Sequence, residues 1–182
     1  MVGSLRRPAT YPSGVVEASR LGSLRVEPAR PEDYPRIAEL TVGVYVDGGL
    51  ATPDYAADLA DVAGRASVSD LLVVRDAGGR VVGSVALVLD GAFGNVIESD
   101  EEAAFRMLVV DPAAQGQGIG ELLVTTCLER ARAAGKRRMV LSTDPLMTTA
   151  HRLYQRLGFT RLPERDWTPQ PGIDLMVYVR GL

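Results

Sequence analysis

The sequence predicts a mixed α/β domain, and three observations carry that reading. Apolar residues make up 46% and charged residues 24% of the 182, the balance of a chain that packs a core. β-branched runs alternate with stretches whose apolar residues recur at helical spacing. Between one such strand and one such helix stands "QGQGIG", residues 115–120, with glycines at alternate positions. The resulting element order is β-α-α-β-β-β-α-β-α-β-β, the pattern of helices layered on a sheet.

Residues 1–22 mix Gly, Ser, Pro and Arg without periodicity and read as a flexible extension, leaving 23–182 as one domain. "LRVEPA" (24–29) is a strand stopped by proline. "PEDYPRIAELTVGVYV" (31–46) opens with acidic residues suited to a helix N-terminus, and Ile37, Leu40 and Val44 then follow helical spacing. "PDYAADLADVAGRA" (53–66) predicts a second, short helix. "DLLVVRD" and "RVVGSVALVLD", joined by "AGG", predict a hairpin. "FRMLVV" (105–110) is a further strand. After the glycine loop, Ile119, Leu122, Leu123, Thr126 and Cys127 share a helical face that ends near Gly135. "RRMVLST" is a strand, Ala150, Leu153, Tyr154 and Leu157 form a helical stripe, and "FTRL" and "DLMVYVRG" are the last strands.

Charge and cysteine usage narrow the partners. A formal net charge of −3 speaks against nucleic acid. The single Cys127 has no internal disulfide partner and suits a reducing compartment. No apolar run approaches the ~18 residues that span a bilayer, and the N-terminus lacks a signal core. The expectation is a cytoplasmic protein without membrane contact.

Glycines just before a helix let the main chain approach an anion, which the unpaired first-turn N–H groups then bind. The same glycines also make an ordinary tight turn, and spacing alone does not choose. A Walker loop requires Gly-Lys-Ser/Thr, and Glu121 follows Gly120. A dinucleotide fingerprint requires a third glycine three residues on, where Glu121 and Leu123 stand. The loop is neither.

It resembles the signature of the GNAT superfamily of acyl-CoA-dependent N-acyltransferases, Gln/Arg-x-x-Gly-x-Gly/Ala, through Gln115, Gly118 and Gly120. Leu108, Val110 and Pro112 fit the Leu-x-Val-x-Pro lead-in. "AHRLYQRLGF" (150–159) is similar to the second motif, Ala-x-x-Leu-Tyr-x-x-x-Gly-Phe. The resemblance implies a mostly antiparallel sheet of six to seven strands flanked by about four helices, with the fourth and fifth strands splayed. It also implies acetyl-CoA as donor, with no metal, and a small-molecule or peptide amine as acceptor, in a monomer or homodimer. An acyl-CoA-binding sensor with little chemistry is the alternative.

Residue by residue, the resemblance assigns the coenzyme A pyrophosphate to amides of Gln115, Gly116, Gln117, Gly118, Ile119 and Gly120. It assigns pantetheine to the backbone of Leu108, Val109 and Val110, with an amide there polarising the thioester. Tyr154 becomes the acid that protonates the departing thiolate; without the motif it is a core tyrosine. Glu101 and Glu102, just before the fourth strand, are candidate bases that also fit a solvated strand start. Tyr45 and Asp47 stand where family members shape the acceptor site. Trp167 walls that pocket or caps the core. Where the family often carries a pantetheine-binding asparagine stands Met147. Cys127 reads as core packing, and His151, the only histidine, as a surface residue.

Overall fold

A computed structural model describes residues 24–91, 96–170 and 172–182; the extension expected at 1–22 lies outside them. The strands are β1 (Val26–Pro28), β2 (Asp70–Arg75), β3 (Val81–Val88), β4 (Glu102–Val110), β5 (Arg138–Thr143), β6 (Thr160–Arg161), β7 (Trp167–Gln170) and β8 (Ile173–Gly181). The helices are α1 (Tyr34–Val42), α2 (Ala56–Ala60), α3 (Val62–Val68), α4 (Ile119–Ala133) and α5 (Thr148–Arg156). The sheet runs β1-β2-β3-β4-β5-β8-β6, with β7 also paired to β8. Every pair is antiparallel except β4–β5.

The mixed α/β class and the mostly antiparallel sheet match the expectation, with local differences that have physical causes. The helix expected at 53–66 divides at Asp61, which leaves helical geometry at φ −74° and ψ 71°. Its carboxylate accepts the Gly64 N–H at 2.8 Å, so an N-cap wins over a continuous helix. An eighth strand, β7, occupies a Pro-rich stretch read as a connection. It pairs with β8 alone among the described strands, and at such an edge Pro169 forfeits no ladder bond. The fourth strand begins at Glu102 rather than Phe105, because "EAA" is buried strand without a β-branched signal.

Of three buried clusters, two lie under the helices on opposite faces of the sheet and the third, Val96, Ala104, Val140 and Val177, packs against Trp167. On one face α4 and α5 pack Leu123, Cys127 and Tyr154 against Phe105, Met139 and Leu141. On the other, Ile37 and Leu40 of α1 and Val62 of α3 pack against Leu71, Val73, Ala86 and Val109. β3 is buried along its whole length, as a central strand covered on both faces must be. Within it Gly83 is needed for close approach, since a Cβ there would lie 2.6 Å from Ile119 Cγ2. The bare backbone lets the first turn of α4 seat directly on the sheet.

Buried ion pairs tie α1 to the strands. Asp33, 5% exposed, receives both Arg75 terminal nitrogens at 2.8 and 2.7 Å and the Arg30 N–H at 2.7 Å. Burial pushes its carboxyl up, but the Arg75 and Arg30 bonds and charges outweigh that and hold it below the usual 3.8. A lowered folded-state pKa contributes stability above the unfolded value and loses it as pH falls through the folded one. Asp33→Asn is therefore expected to lower stability at pH 7 by roughly 2–3 kcal/mol. The gap from wild type should narrow as pH falls below 3.8 and through the lowered folded-state value, as urea midpoints at pH 7 and at acid pH will show.

Candidate active site

β4 and β5 pair only over Glu102–Ala104 against Arg138–Val140. Beyond that point the parallel strands part, leaving a wedge whose lips are Phe105–Val110 and Leu141–Thr143. On its other side β4 carries a bulge, where the register against β3 shifts between Ser84 and Ala86. The bulge contains Met107 at φ +50°, the one non-glycine residue with positive φ among those described. A left-handed residue in mid-strand costs about 1–3 kcal/mol and clusters at functional sites. Here it turns peptide groups of the β4 lip out of the regular ladder, beside Leu108–Val110.

The glycine loop stands where β4 ends. Asp111 accepts the Ala113 N–H at 2.9 Å and the Arg36 guanidinium of α1 at 2.5 Å, which pins the exit from the strand. Gly116 and Gly118 take φ of +78° and +79°, and Gly118 is the N-cap of α4 with no side-chain cap. Nothing lies within 4 Å of a Cβ added at Gly116. The first-turn N–H groups of this 15-residue helix have no intrahelical acceptor, and the helix dipole stands behind them. Such a turn fits a phosphate group.

On the opposite face, among the described residues, lies a cavity of about 150 Å³. Tyr45, Leu50, Tyr55 and Leu59 of the α1–α2 region form one wall, and Trp167, Ile173 and Leu175 of β7–β8 the other. Its floor is Arg106 and Met107 of β4 with Ser142, Thr143 and Asp144 at the end of β5. The cavity thus opens on the wedge from the helix α1 side, while the glycine loop reaches it from the α4 side. Burial pushes the Tyr45 phenol up to about 12 despite the Arg106 and Arg65 charges nearby.

The geometry calls for a comparison with known proteins. The sequence model of the acetyltransferase (GNAT) family matches residues 35–159. The chain belongs to the GNAT acetyltransferase family. Mycothiol acetyltransferase of Streptosporangium roseum is 48% identical over 52 residues, a stretch covering 29% of this chain and 15% of that protein. A GNAT-family acetyltransferase of Staphylococcus aureus Mu50 superposes with TM-score 0.71 at 16% identity, covering 88% of this chain and 99% of that one. The yncA protein of Salmonella typhimurium, solved with its cofactor acetyl-CoA, gives TM-score 0.63 at 23% identity over 88% and 95%. At these identities the two structures speak for the fold.

Within this GNAT chain the residues singled out from sequence divide into groups. Gln115–Gly120 and Leu108–Val110 stand together along loop and lip. Tyr154 of α5, 4% exposed, is ringed by Phe105, Phe159 and Tyr178 at centroid distances of 5.8, 5.9 and 6.2 Å. Burial, with a smaller contribution from Tyr45, drives its phenol far above 10.0, so the proton is held at any working pH. Tyr45 and Trp167 both line the cavity, whereas Asp47 is exposed and does not. Met147 lines it too, and its Sδ receives the Thr143 hydroxyl at 3.6 Å.

The two glutamates sit at the closed end of the wedge, five and six residues before Met107, or roughly 17–20 Å of extended chain. Glu102, 2% exposed, accepts Arg165 at 2.9 and 3.1 Å and the Glu98 N–H at 3.0 Å. Burial raises its pKa, but those bonds and the Arg165 and Arg138 charges lower it below 4.5 overall. Glu101 lies at the surface 3.4 Å from Arg137. His151 is half-buried rather than a surface residue, 3.4 Å from the Thr143 hydroxyl, because its helix turns it toward β5. Burial is the main cause that lowers its pKa. Cys127 is fully buried, and burial pushes its thiol well up, as a packing residue requires. Among the described residues no group of three or more His, Cys, Asp or Glu is placed to hold a metal ion. No helix there is long and apolar enough to cross a membrane.

Sequence alone marks Arg106 only as a strand residue that is no carboxylate, and it gives Asp144 no mark at all. Their signal is spatial. They come from separate segments that only the wedge brings together.

Proposed function

We propose that residues 23–182 form an N-acetyltransferase domain that moves the acetyl group of acetyl-CoA to a primary amine, of a small molecule or peptide, by direct attack in a ternary complex. The observation that carries this is the β4–β5 wedge, open to the glycine loop on one face and to the cavity on the other. Acetyl-CoA supplies an activated thioester. Amides of Gln115–Gly120 hold its pyrophosphate, and the unpaired lip at Leu108–Val110 holds pantetheine as an added strand would be held. A peptide N–H of the Met107 bulge polarises the thioester carbonyl. The amine enters from the cavity, the new C–N bond replaces C–S, and Tyr154 gives its proton to the departing thiolate.

Glu101 and Glu102 remain the bases the sequence nominates, but their distance from the bulge supports a different residue. Asp144 is the one carboxylate among the cavity-lining residues, and it is our choice to take the amine proton, directly or through water. The yncA complex with acetyl-CoA supports the donor. The chain spans only 15% and 31% of the first two curated relatives, so the acceptor does not follow from them. Met147, in place of a polar cofactor contact, favours the second reading, an acyl-CoA-binding sensor. Thiol release from acetyl-CoA over a panel of primary amines decides between the two. Turnover on at least one amine is expected; a rise in Tm with acetyl-CoA but no release would leave the sensor.

A further inference from the structure

Beyond Val140 the β5 lip has parted from β4 and leans on β8 alone, its last pair being Thr143 with Met176. Asp144 comes after that pair and belongs to the turn that enters α5. Its Oδ1 accepts the Leu146 N–H at 2.8 Å, and its carbonyl accepts the Met147 N–H at 3.0 Å. Both bonds lie within the turn. The tie from the body of α5 back to the end of the lip is His151.

His151 reaches both residues there. Its Nε2 is 3.4 Å from the Thr143 hydroxyl, and the ring bonds to the Asp144 backbone. A neutral imidazole has one acceptor nitrogen and one donor. It meets a matching pair, a hydroxyl with a proton to give and a carbonyl with a second lone pair. With Nε2 accepting from Thr143, the Nδ1–H is left for Asp144. At 3.4 Å the first of these bonds is long, so it orients the hydroxyl more than it adds stability. A protonated ring donates from both nitrogens, and the Thr143 hydroxyl must then turn away, towards the Met147 Sδ at 3.6 Å. The charge of such a ring, felt by the Asp144 carboxylate, also opposes the arrival of a further proton there.

The surroundings favour the neutral ring. From β8, Tyr178 lies against it with centroids 5.6 Å apart and planes 31° apart. From β6, Arg161 lies over the same Tyr178 ring and is held by Asp166 at 2.8 and 2.6 Å. Tyr154, one turn along α5, packs on Tyr178 as well, and β5 contributes Thr143 with Asp144 beyond it. Burial has the largest influence and lowers the His151 pKa from 6.5. The Asp144 backbone bond and charge work against that shift, and the Arg161 charge works with it.

We propose that His151 is a positioning residue of the transfer reaction, whose neutral form holds Thr143 and Asp144 at the end of the lip so that the Asp144 carboxylate meets the amine. This rests on Asp144 being the base of the proposed transferase. Thr143 and Asp144 line the cavity and His151 does not, so the ring acts through the two residues it holds.

His151 is the only histidine, so nitrogen NMR of the untagged full chain reads its tautomer and titration directly. The Nδ1–H tautomer is expected, with a pKa below 6.5. Thiol release from acetyl-CoA, with the amine of highest turnover, is then followed across that titration in wild type, His151→Gln and His151→Leu. Glutamine offers a donor and an acceptor that do not titrate. His151→Gln should therefore keep kcat within about threefold of wild type above the titration and lose the acid fall. The wild-type to His151→Gln ratio, in which ionisation of the amine cancels, should drop about threefold or more with the midpoint that NMR gives. His151→Leu should lose about tenfold in kcat with the KM for acetyl-CoA within about twofold. Should His151→Leu not fold, His151→Gln carries the comparison. An Nε2–H tautomer, a flat ratio, or a leucine variant as active as wild type overturns the proposal. No release from any amine, with the Nδ1–H tautomer present, overturns the transferase reading and with it the catalytic purpose of this tie.

Discussion

Gly118→Trp is expected to weaken acetyl-CoA binding by a hundredfold or more while the domain stays folded. The position is the N-cap of α4 at φ +79°, so any L side chain there is strained, and an indole beside the first-turn amides obstructs an anion approaching them. Loss of two charge-assisted bonds at about 1.5–3 kcal/mol each is sufficient for the fall in affinity. The strain itself costs about 1–3 kcal/mol, a Tm loss of roughly 5 °C in a chain of this size. Gly135→Trp separates the two effects, because Gly135 has the same φ of +79° at the other end of α4 with nothing within 4 Å of its Cβ. It should show a similar Tm loss and wild-type affinity. Equal affinity loss in both variants would mean that strain, not the loop, governs binding; wild-type affinity in Gly118→Trp would remove the loop from the donor site. Gly120 is a poorer probe, since its Cβ would meet Leu153 Cδ2 at 3.3 Å and the substitution would wedge α4 from α5.

The second large effect is that of Tyr154→Phe, for which we expect kcat to fall about 100- to 1,000-fold with the KM for acetyl-CoA within twofold. The ring stays among Phe105, Phe159 and Tyr178, so packing is conserved and Tm should hold or rise. Because burial keeps the phenol protonated far above neutrality, wild-type kcat should show no alkaline loss attributable to this group up to about pH 10. A less demanding leaving group at high pH should narrow the gap between variant and wild type. Equal turnover at pH 7 would return Tyr154 to the core.

What the sequence could tell was set by how local each signal is. The glycine loop, the α4 stripe and the Tyr154 stripe are contiguous patterns, and periodicity finds such patterns. The cavity is not contiguous: its walls come from the α1–α2 region, β4, β5 and β7–β8, and each segment alone reads as turn or core. Trp167 was legible as a wall or a cap, but its own strand β7 was hidden because proline reads as a break unless an edge is known. Glu102 looked like a solvated strand start, since nothing local announces an arginine 63 residues away. The left-handed Met107 has no sequence mark at all.

The wedge also has a mechanical side. Between β4 and β5 the sheet is fastened by only three residue pairs, all at one end, so the strands β1–β4 and the strands β5–β8 form two leaves joined along a short spine. Anything that lies in the opening and bonds to both lips fastens the free end of those leaves. The donor would then act as a clasp on the sheet as well as a reactant, and its departure after each turnover would loosen the same seam through which it left.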